Sequence, residues 1–176
     1  MSELLPLFPL PNVVLFPNVF LPLHIFEPRY REMVADALAS DRMIGMVLLR
    51  PGWDRDYEGR PPIYSVGCSG VLTHNERLPD GRYNIVLRGM ERFRIVEEDH
   101  ALGYRRAVVD ALRDRPLDAA DRSVIRSQRA KLESILGPSQ SSAGDPRMPA
   151  SMSDEDLVNA LAQYLDLERS EERRVG

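Results

Sequence analysis

The stretch PLFPLPNVVLFPNVFLPLHIFE, from Pro6 to Glu27, decides the fold of this 176-residue chain. It is apolar enough to raise the question of an export signal or a membrane helix. The residues before it carry Glu3 and no basic side chain, unlike a signal peptide. Each proline inside a helix removes a hydrogen bond, at a cost of about 3 kcal/mol. We therefore expect no leader and no membrane helix, but short strands and turns in a β core.

The same prolines constrain how these strands pair. Proline cannot donate to a β ladder, so the strands are expected at sheet edges or with proline at their ends. A helix is predicted to follow at Glu27–Pro28, because proline suits the first helical position. Its apolar side chains recur at helical spacing, at Tyr30, Met33, Val34, Ala37 and Leu38.

The next seventy residues have the pattern of β structure. MIGMVLL (43–49) predicts a buried strand, and IYSVGCSGVLTH (63–74) predicts a strand that bends at its glycines. A Pro-Asp-Gly turn precedes alternating apolar and polar residues, which indicates a half-buried strand. Further strands are predicted at 92–98 and 104–112. About six mostly antiparallel strands with one early helix favour a small closed or partly closed barrel.

A helical segment is predicted after Arg115. Residues 118–136 indicate a helix with one apolar side, at Val124, Ile125, Leu132, Ile135 and Leu136. Residues 137–150 are polar and are expected to form a mobile linker. Ser153 is predicted to cap a last helix, with Asp156 at the capping-box position and an apolar stripe at Leu157, Val158, Leu161 and Leu165.

These segments predict an α+β protein with two lobes. The β-rich lobe is expected at 1–115 and a smaller helical lobe at 116–170, with a frayed charged tail at 171–176. The net charge of -4 gives no general attraction to nucleic acid or anionic membranes. The single cysteine, Cys68, excludes an internal disulfide, is expected to be a small buried strand residue, and fits a cytoplasmic location.

Several chemistries are absent from the sequence. Lys131 is the only lysine, so no phosphate-binding loop of the G-x-x-x-x-G-K-[ST] kind is present, and a Ser-Lys dyad would depend on that one residue. The three histidines have no zinc-ligand spacing with Cys68 or with each other. We therefore expect no catalytic residues, no cofactor and no metal.

The order of motifs resembles the amino-terminal, substrate-binding domain of the ATP-dependent Lon proteases. The most specific pieces are PLFPL (6–10), LFP (15–17), LPLHIFE (21–27) and DGRYNIVLRGMERFRI (80–95). The resemblance covers about residues 4 to 165. It implies a PUA-like pseudobarrel, about six strands plus one helix, followed by a helical lobe.

The resemblance also implies a function. It suggests a non-catalytic role in recognising unfolded or damaged polypeptides, or a protease or chaperone partner. The family's ATPase and serine-lysine protease modules have no counterpart in these residues, so the chain looks like a stand-alone bacterial relative of that domain. The family's helical lobe usually extends past the position of Gly176, so this lobe is either truncated or short. A second copy of the chain, forming a homo-oligomer, is a further partner considered.

Five residues are candidates for polypeptide binding. They are exposed or loop-borne aromatic and cationic side chains near the first helix and in the loop PGWDRDYEGRPP, namely Phe26, Arg29, Tyr30, Trp53 and Tyr57. Such side chains give an extended partner tolerant, low-specificity contacts. The alternative is structural: Phe26 and Tyr30 in the core, and Trp53 covering a barrel end.

An RNA-binding barrel is the second function considered. Its basic residues would be Arg88, Arg92, Arg94, Arg105 and Arg106, with Tyr83 and Phe93 available for base stacking. The negative net charge and the interspersed glutamates favour a solvated sheet face instead.

Overall fold

The computed structural model describes residues 4–56, 59–113, 118–136 and 153–164. Within these ranges it has six strands, three α-helices and a short 3-10 helix at Trp53–Asp56. The strands are β1 (Leu5–Leu10), β2 (Phe20–Ile25), β3 (Met43–Leu49), β4 (Ile63–Arg77), β5 (Tyr83–Asp99) and β6 (Arg105–Ala111). The helices are α1 (Pro28–Ala39), α2 (Ala119–Leu136) and α3 (Asp154–Tyr164). The predicted α+β class is confirmed.

The strands form a closed barrel with one added strand. Their order is β2-β5-β4-β3-β1-β6, and an additional pairing of β5 with β6 closes five of them into a ring. Only β1 and β3 pair in parallel, and the other described pairs are antiparallel. Assignment of this barrel to the PUA-like class stays a prediction.

The long strand β5 makes closure possible. Its first residues pair with β2, and its last residues pair with β6. The sequence predicted two strands here, divided near Gly89, and that division is wrong. Gly89 stays within the strand, and its backbone N–H and carbonyl pair with Val19 and Asn18 of the preceding loop.

The opening stretch is extended, as predicted, but its two strands occupy different places. β2 pairs only with β5 among the described residues, so it is an edge strand. β1 lies between β3 and β6, so it is not an edge strand, but Pro6 and Pro9 each lie one residue from an end of the strand, close to the second of the two predicted arrangements. Pro6 is paired only toward β6 and Pro9 only toward β3, so each proline has one side without a ladder.

Helix α1 begins at Pro28, in the first helical position, and lies against the core of the barrel. Tyr30, Met33, Val34 and Ala37 are buried, and Leu38 packs against the same cluster. The predicted apolar stripe is therefore confirmed. The Phe8 and Tyr30 rings, 4.5 Å apart between centroids, connect β1 to the start of this helix.

Helix α3 contacts the β-rich part of the chain. The Asp156 N–H donates to Ser153 Oγ at 3.0 Å, which confirms the predicted cap. The Asp156 carboxylate accepts a hydrogen bond from Asn18 Nδ2, and Asn159 and Gln163 donate to carbonyls of the β1–β2 loop.

The apolar stripes predicted for α2 and α3 are partly wrong. Leu157 is 2% exposed, but Val158 is 57% exposed because α3 faces the loop through polar side chains instead. Val124 on α2 is 60% exposed. The predicted linker at 137–150, the frayed tail at 171–176 and Leu165 lie outside the described residues. No helix within the described ranges is long and apolar enough to cross a membrane.

Candidate functional site

The predicted binding residues lie around the start of α1 and the loop after β3. Phe26 separates β2 from α1 and is 60% exposed. Arg29 is partly buried in the first turn of α1, and Tyr30 is buried beside it. Trp53 is half-buried at the start of the 3-10 helix. Tyr57 lies outside the described residues.

A cavity of about 290 Å³ opens between α1 and this loop. Its walls include Arg29 and Tyr30 of α1, residues 59–61 of the loop, and residues 102–105 at the start of β6. Phe26 and Trp53 are outside the wall formed by the described residues. The structure therefore brings two of the predicted residues, Arg29 and Tyr30, to one concave site.

Arg29 joins the helix to the loop. Its Nε lies 3.0 Å from Glu27 Oε2, and its Nη1 donates to the Gly59 carbonyl at 3.4 Å. Its guanidinium carbon lies 4.7 Å from the centroid of the Tyr30 ring, within range of a cation–π contact. The apolar ring and the ion pair both fix the orientation of this side chain at the cavity.

Arg60 and Arg105 also line the cavity. Neither was predicted to bind polypeptide, although Arg105 was considered for RNA binding. Arg60 Nη2 donates to the carbonyls of Leu102 and His100, at 3.1 and 3.4 Å. Arg105 is 7% exposed, and its guanidinium donates to Glu98 and to the Pro61 carbonyl. Arg105 carried a signal, since it shares the inward-facing alternation of β6 with Ala107. Arg60 carried none.

The outer face of β2 forms a second exposed feature. Phe20 is 55% exposed at one end of the strand, and Phe26 lies just past the other end. The His24 ring between them stacks with Phe26, with centroids 6.3 Å apart. His24 Nδ1 lies 2.7 Å from Asn84 Oδ1 on the neighbouring strand β5. The alternation of Phe20 and His24 with Leu21 and Ile25 in the sequence is the signal for this face.

Several of the residues proposed for RNA binding are buried or already paired with carboxylates. Tyr83 and Phe93 are 8% and 1% exposed, so neither ring is available for base stacking. Arg105 is buried against Glu98, and Arg106 pairs with Asp99 at 2.8 Å. The sequence gives no reason to distinguish among these arginines. In the structure, Arg105 and Arg106 are paired with carboxylates, whereas Arg88 is exposed.

Reactive chemistry at the described residues is limited. Burial raises the pKa of the Cys68 thiol to about 11, so the reactive thiolate is scarce near neutral pH. Cys68 is 3% exposed, which confirms the prediction of a buried strand residue. Burial, with the adjacent Asp36 carboxylate, also raises the pKa of Tyr104, whose hydroxyl donates to Asp36 at 2.6 Å. In the described part of the chain, no group of three or more His, Cys, Asp or Glu side chains is arranged to hold a metal.

The fold and the cavity define a class of protein: an α+β barrel domain with a small helical part and an arginine-lined cleft. Comparison with known families gives the more specific assignment. Residues 4–175 match the family described as the ATP-dependent protease La (LON) substrate-binding domain. The chain belongs to this family.

Curated relatives are much longer proteins. The chain is 32% identical over 113 residues to Lon protease 2 of Myxococcus xanthus, a match to 64% of this chain and 14% of that protein. It is 32% identical over 138 residues to Lon protease of Trichlorobacter lovleyi, covering 76% of this chain and 17% of that protein. The chain therefore spans about a sixth of the length of these relatives.

Solved structures agree on the fold. The Lon N-terminal domain protein from Xanthomonas campestris superposes with a TM-score of 0.63 at 22% identity, covering 98% of this chain and 89% of that one. The N-terminal domain of Mycobacterium avium complex Lon protease gives a TM-score of 0.59 at 15% identity, covering 76% and 68%. At these identities the likeness shows a shared fold.

Proposed function

We propose that this chain is a non-catalytic binding module for unfolded polypeptide. In this proposal the client lies across the start of α1 and the loop between β3 and β4, in contact with Phe26, Arg29, Tyr30, Trp53 and Tyr57. The observation that carries it is the cavity between Arg29 and Gly59, which joins the two segments into one concave site. Membership of a family named for substrate binding supports the same reading.

The surface chemistry suits an unfolded client. Unfolded chains present apolar side chains and unpaired backbone groups, so a binder needs exposed apolar contacts beside polar ones. Phe26 supplies an aromatic ring that is 60% exposed, three residues before Arg29. The open edge of β2 is a poorer docking place, because Pro22 removes a backbone donor from it.

The non-catalytic part of the proposal is supported by the low reactivity of Cys68 and by the presence of a single lysine in the sequence. Cys68 is buried with a raised pKa, and the only lysine is Lys131 on α2. A protease or chaperone that receives the client would therefore supply any chemistry. We further propose that residues 1–115 and 116–170 are the two lobes, and that the protein works in the cytoplasm, where its single thiol stays reduced.

Direct titration tests this function. A fluorescently labelled, permanently unfolded polypeptide is titrated with the wild-type protein and with Phe26→Ala, and binding is followed by anisotropy. Removing the exposed ring is expected to weaken binding about fivefold, the effect of a modest interface contact. Phe20→Ala is the matched control, since that ring has similar exposure at the far end of β2.

The outcomes separate the alternatives. An equal loss of polypeptide affinity in Phe26→Ala and Phe20→Ala would indicate that the client binds to the face of β2 and not to the cleft at α1. Binding of labelled single-stranded RNA that falls steeply with salt, without polypeptide binding, would favour the RNA function. Binding of neither would point to a folded partner, or to a second copy of the chain, and would reject the proposal.

A further inference from the structure

The second half of β4 has an open side. Pairing of β4 with β3 ends at Val71, and the next contact on that side is the Leu72 N–H, which donates to the Arg42 carbonyl at 2.9 Å. Along residues 73–77, β5 is the only described strand that pairs with β4. Every residue of this segment, THNER, is exposed. Residues 73–77 are therefore an open edge of the sheet, which we call the β4 edge.

The backbone groups of Asn75 and Arg77 point toward this open side. The Leu78 N–H donates to the Arg82 carbonyl across the hairpin, at 2.8 Å. Successive residues of a strand direct their N–H and carbonyl groups to opposite sides, and the register with β5 is unbroken here. Glu76 therefore shares the direction of Leu78 and bonds to β5. Asn75 and Arg77 point away from β5, and each offers a donor and an acceptor that no described strand uses.

The β4 edge lacks the feature that blocks pairing at β2. Pro22 removes a donor from the open side of β2, whereas residues 73–77 contain no proline. The register shift of β4 lies between Leu72 and His74, before the outward-pointing groups. Charged side chains on the edge oppose aggregation but leave the backbone groups in place. An edge of this kind can receive an extended chain as an added strand.

Helix α1 runs alongside the β4 edge. Arg31 Nη1 near its start donates to the Asp80 carbonyl in the turn after β4, at 3.2 Å. At the other end, Arg42 follows the helix and binds Leu72 through its carbonyl. Ala35 lies one helical turn after Arg31, so it shares that side of the helix, and it is exposed. A chain on the edge would therefore have α1 next to it.

The β4 edge ends at the same end of the sheet as the proposed client contacts. Ile25 pairs with Tyr83, and Tyr83 pairs with Arg77. Arg77 thus lies two strand spacings, about 10 Å, from the residue before Phe26. We propose that the β4 edge takes an extended segment of the polypeptide client as an added strand, bonded to the backbone of Asn75 and Arg77. The inference rests on the proposed polypeptide-binding function and adds main-chain recognition to it.

A proline in the β4 edge tests this contact. Asn75→Pro removes a donor that points away from β5, so the ladder between β4 and β5 is kept. Titration of the labelled unfolded polypeptide is expected to show about tenfold weaker binding, from the lost hydrogen bond and the added ring. Phe20→Pro is the control, because it places a proline on the open side of β2, two residues before Pro22. It is expected to bind like the wild type.

Two checks assign the loss to the backbone. Circular dichroism shows whether Asn75→Pro is folded. Asn75→Ala removes the same side chain but keeps the N–H, so a loss equal to that in Asn75→Pro would overturn the added strand.

Amide exchange in the wild type alone guards against misfolding of the variant. With client at ten times its dissociation constant, the amides of Asn75 and Arg77 are expected to exchange about tenfold more slowly. The amides of His74 and Glu76 already pair with β5 and are expected to change little. This alternation is the signature of an added strand, and unchanged exchange at Asn75 and Arg77 overturns it.

The outcomes separate this inference from the proposed function. Client binding that weakens in Phe26→Ala but not in Asn75→Pro overturns the β4 edge and leaves the function standing. Binding that weakens only in Asn75→Pro retains the edge and rejects the site at α1. Slowed exchange at Asn75 that depends on protein concentration, without client, would assign the edge to a second copy and overturn the proposal. Absence of client binding rejects the two together.

Discussion

Gly89 lies near the middle of β5, where the loop between β1 and β2 passes directly over it. Its N–H donates to the Val19 carbonyl, and its own carbonyl accepts from the Asn18 N–H, both at 2.9 Å. A Cβ atom at Gly89 would overlap the Phe16 carbonyl. The absent side chain therefore permits a contact that holds the signature stretch against the barrel.

The Gly89→Ala substitution is expected to lower the free energy of unfolding by about 1–3 kcal/mol, because the loop backbone must move away from the new methyl group. Urea denaturation measures this loss. Gly103→Ala is the control: an added Cβ there meets its nearest atom, Glu32 Oε2, at an ordinary 3.8 Å. Its effect is expected within about 0.5 kcal/mol. Equal losses in both would contradict the proposed overlap.

At the scale of elements, Asp99 holds the turn that connects β5 to β6. Its Oδ1 accepts hydrogen bonds from the Ala101 N–H at 3.0 Å and from Arg106 Nη2 at 2.8 Å. The backbone hydrogen bond from Ala101, with the bond from Arg106, lowers the pKa of Asp99 below its ordinary value. This turn aligns the two strands whose pairing closes the barrel.

The lowered pKa of Asp99 predicts the sign of a pH effect. A depressed carboxyl pKa stabilises the fold above the ordinary value of about 3.9, and that contribution is lost as pH falls through the folded pKa. Asp99→Asn is therefore expected to melt below the wild type at pH 7, with the difference shrinking on acidification through that range.

Thermal melts at pH 7 and at steps down to the acid transition measure this difference. Asp110→Asn removes an exposed carboxylate from β6 and is the control at pH 7, where its effect is expected within about 0.5 kcal/mol. A wild-type advantage over Asp99→Asn that grows on acidification would contradict the assignment.

At the scale of the whole molecule, α3 joins the far end of the described chain to its beginning. Gln163 Nε2 donates to the Val14 carbonyl at 2.8 Å, and Asn159 Nδ2 donates to the Pro17 carbonyl at 3.3 Å. Leu157 is buried beside these contacts, with 2% of its surface exposed. The helix thus covers the same loop that lies over Gly89.

The Leu157→Ala substitution is expected to weaken the docking of α3, because it removes the buried side chain of this contact. Hydrogen exchange is expected to become faster in residues 153–164 and in the loop 11–19. Val158→Ala is the control, since the neighbouring Val158 side chain is 57% exposed and its truncation removes little buried apolar contact. Comparable acceleration in the two variants would show that α3 is not held by Leu157.

Much of the local structure could be predicted from the sequence. The bounds of β3 and the stripe of α1 follow from apolar periodicity, which depends only on neighbouring residues. The division of β5 was wrong, and the sequence did not decide whether β1 is an edge strand or an inner strand with prolines near its ends. Both outcomes depend on which distant strands pair. From the sequence alone, a glycine that ends a strand cannot be distinguished from one that allows a loop to pack closely against the strand.

The candidate site was predictable only in part. Arg29 was found because it lies at a recognisable helix start. Arg60 was missed, since a loop arginine gains a role only when the carbonyls of residues 100–102 fold around it. Tyr83 and Phe93 were chosen as possible stacking residues, yet their inward position in the closed barrel removes them from solvent.

The sequence by itself determined that the stretch from Pro6 to Glu27 is extended, because proline acts on its own residue and the one before it. It determined the start of α1 at Pro28 in the same way. The tertiary structure alone decided that β5 closes the barrel against β6 and that Arg60 and Arg106 each keep a buried N–H donor without a hydrogen-bond partner. Those outcomes depend on contacts between residues far apart in the chain, which local preferences do not specify.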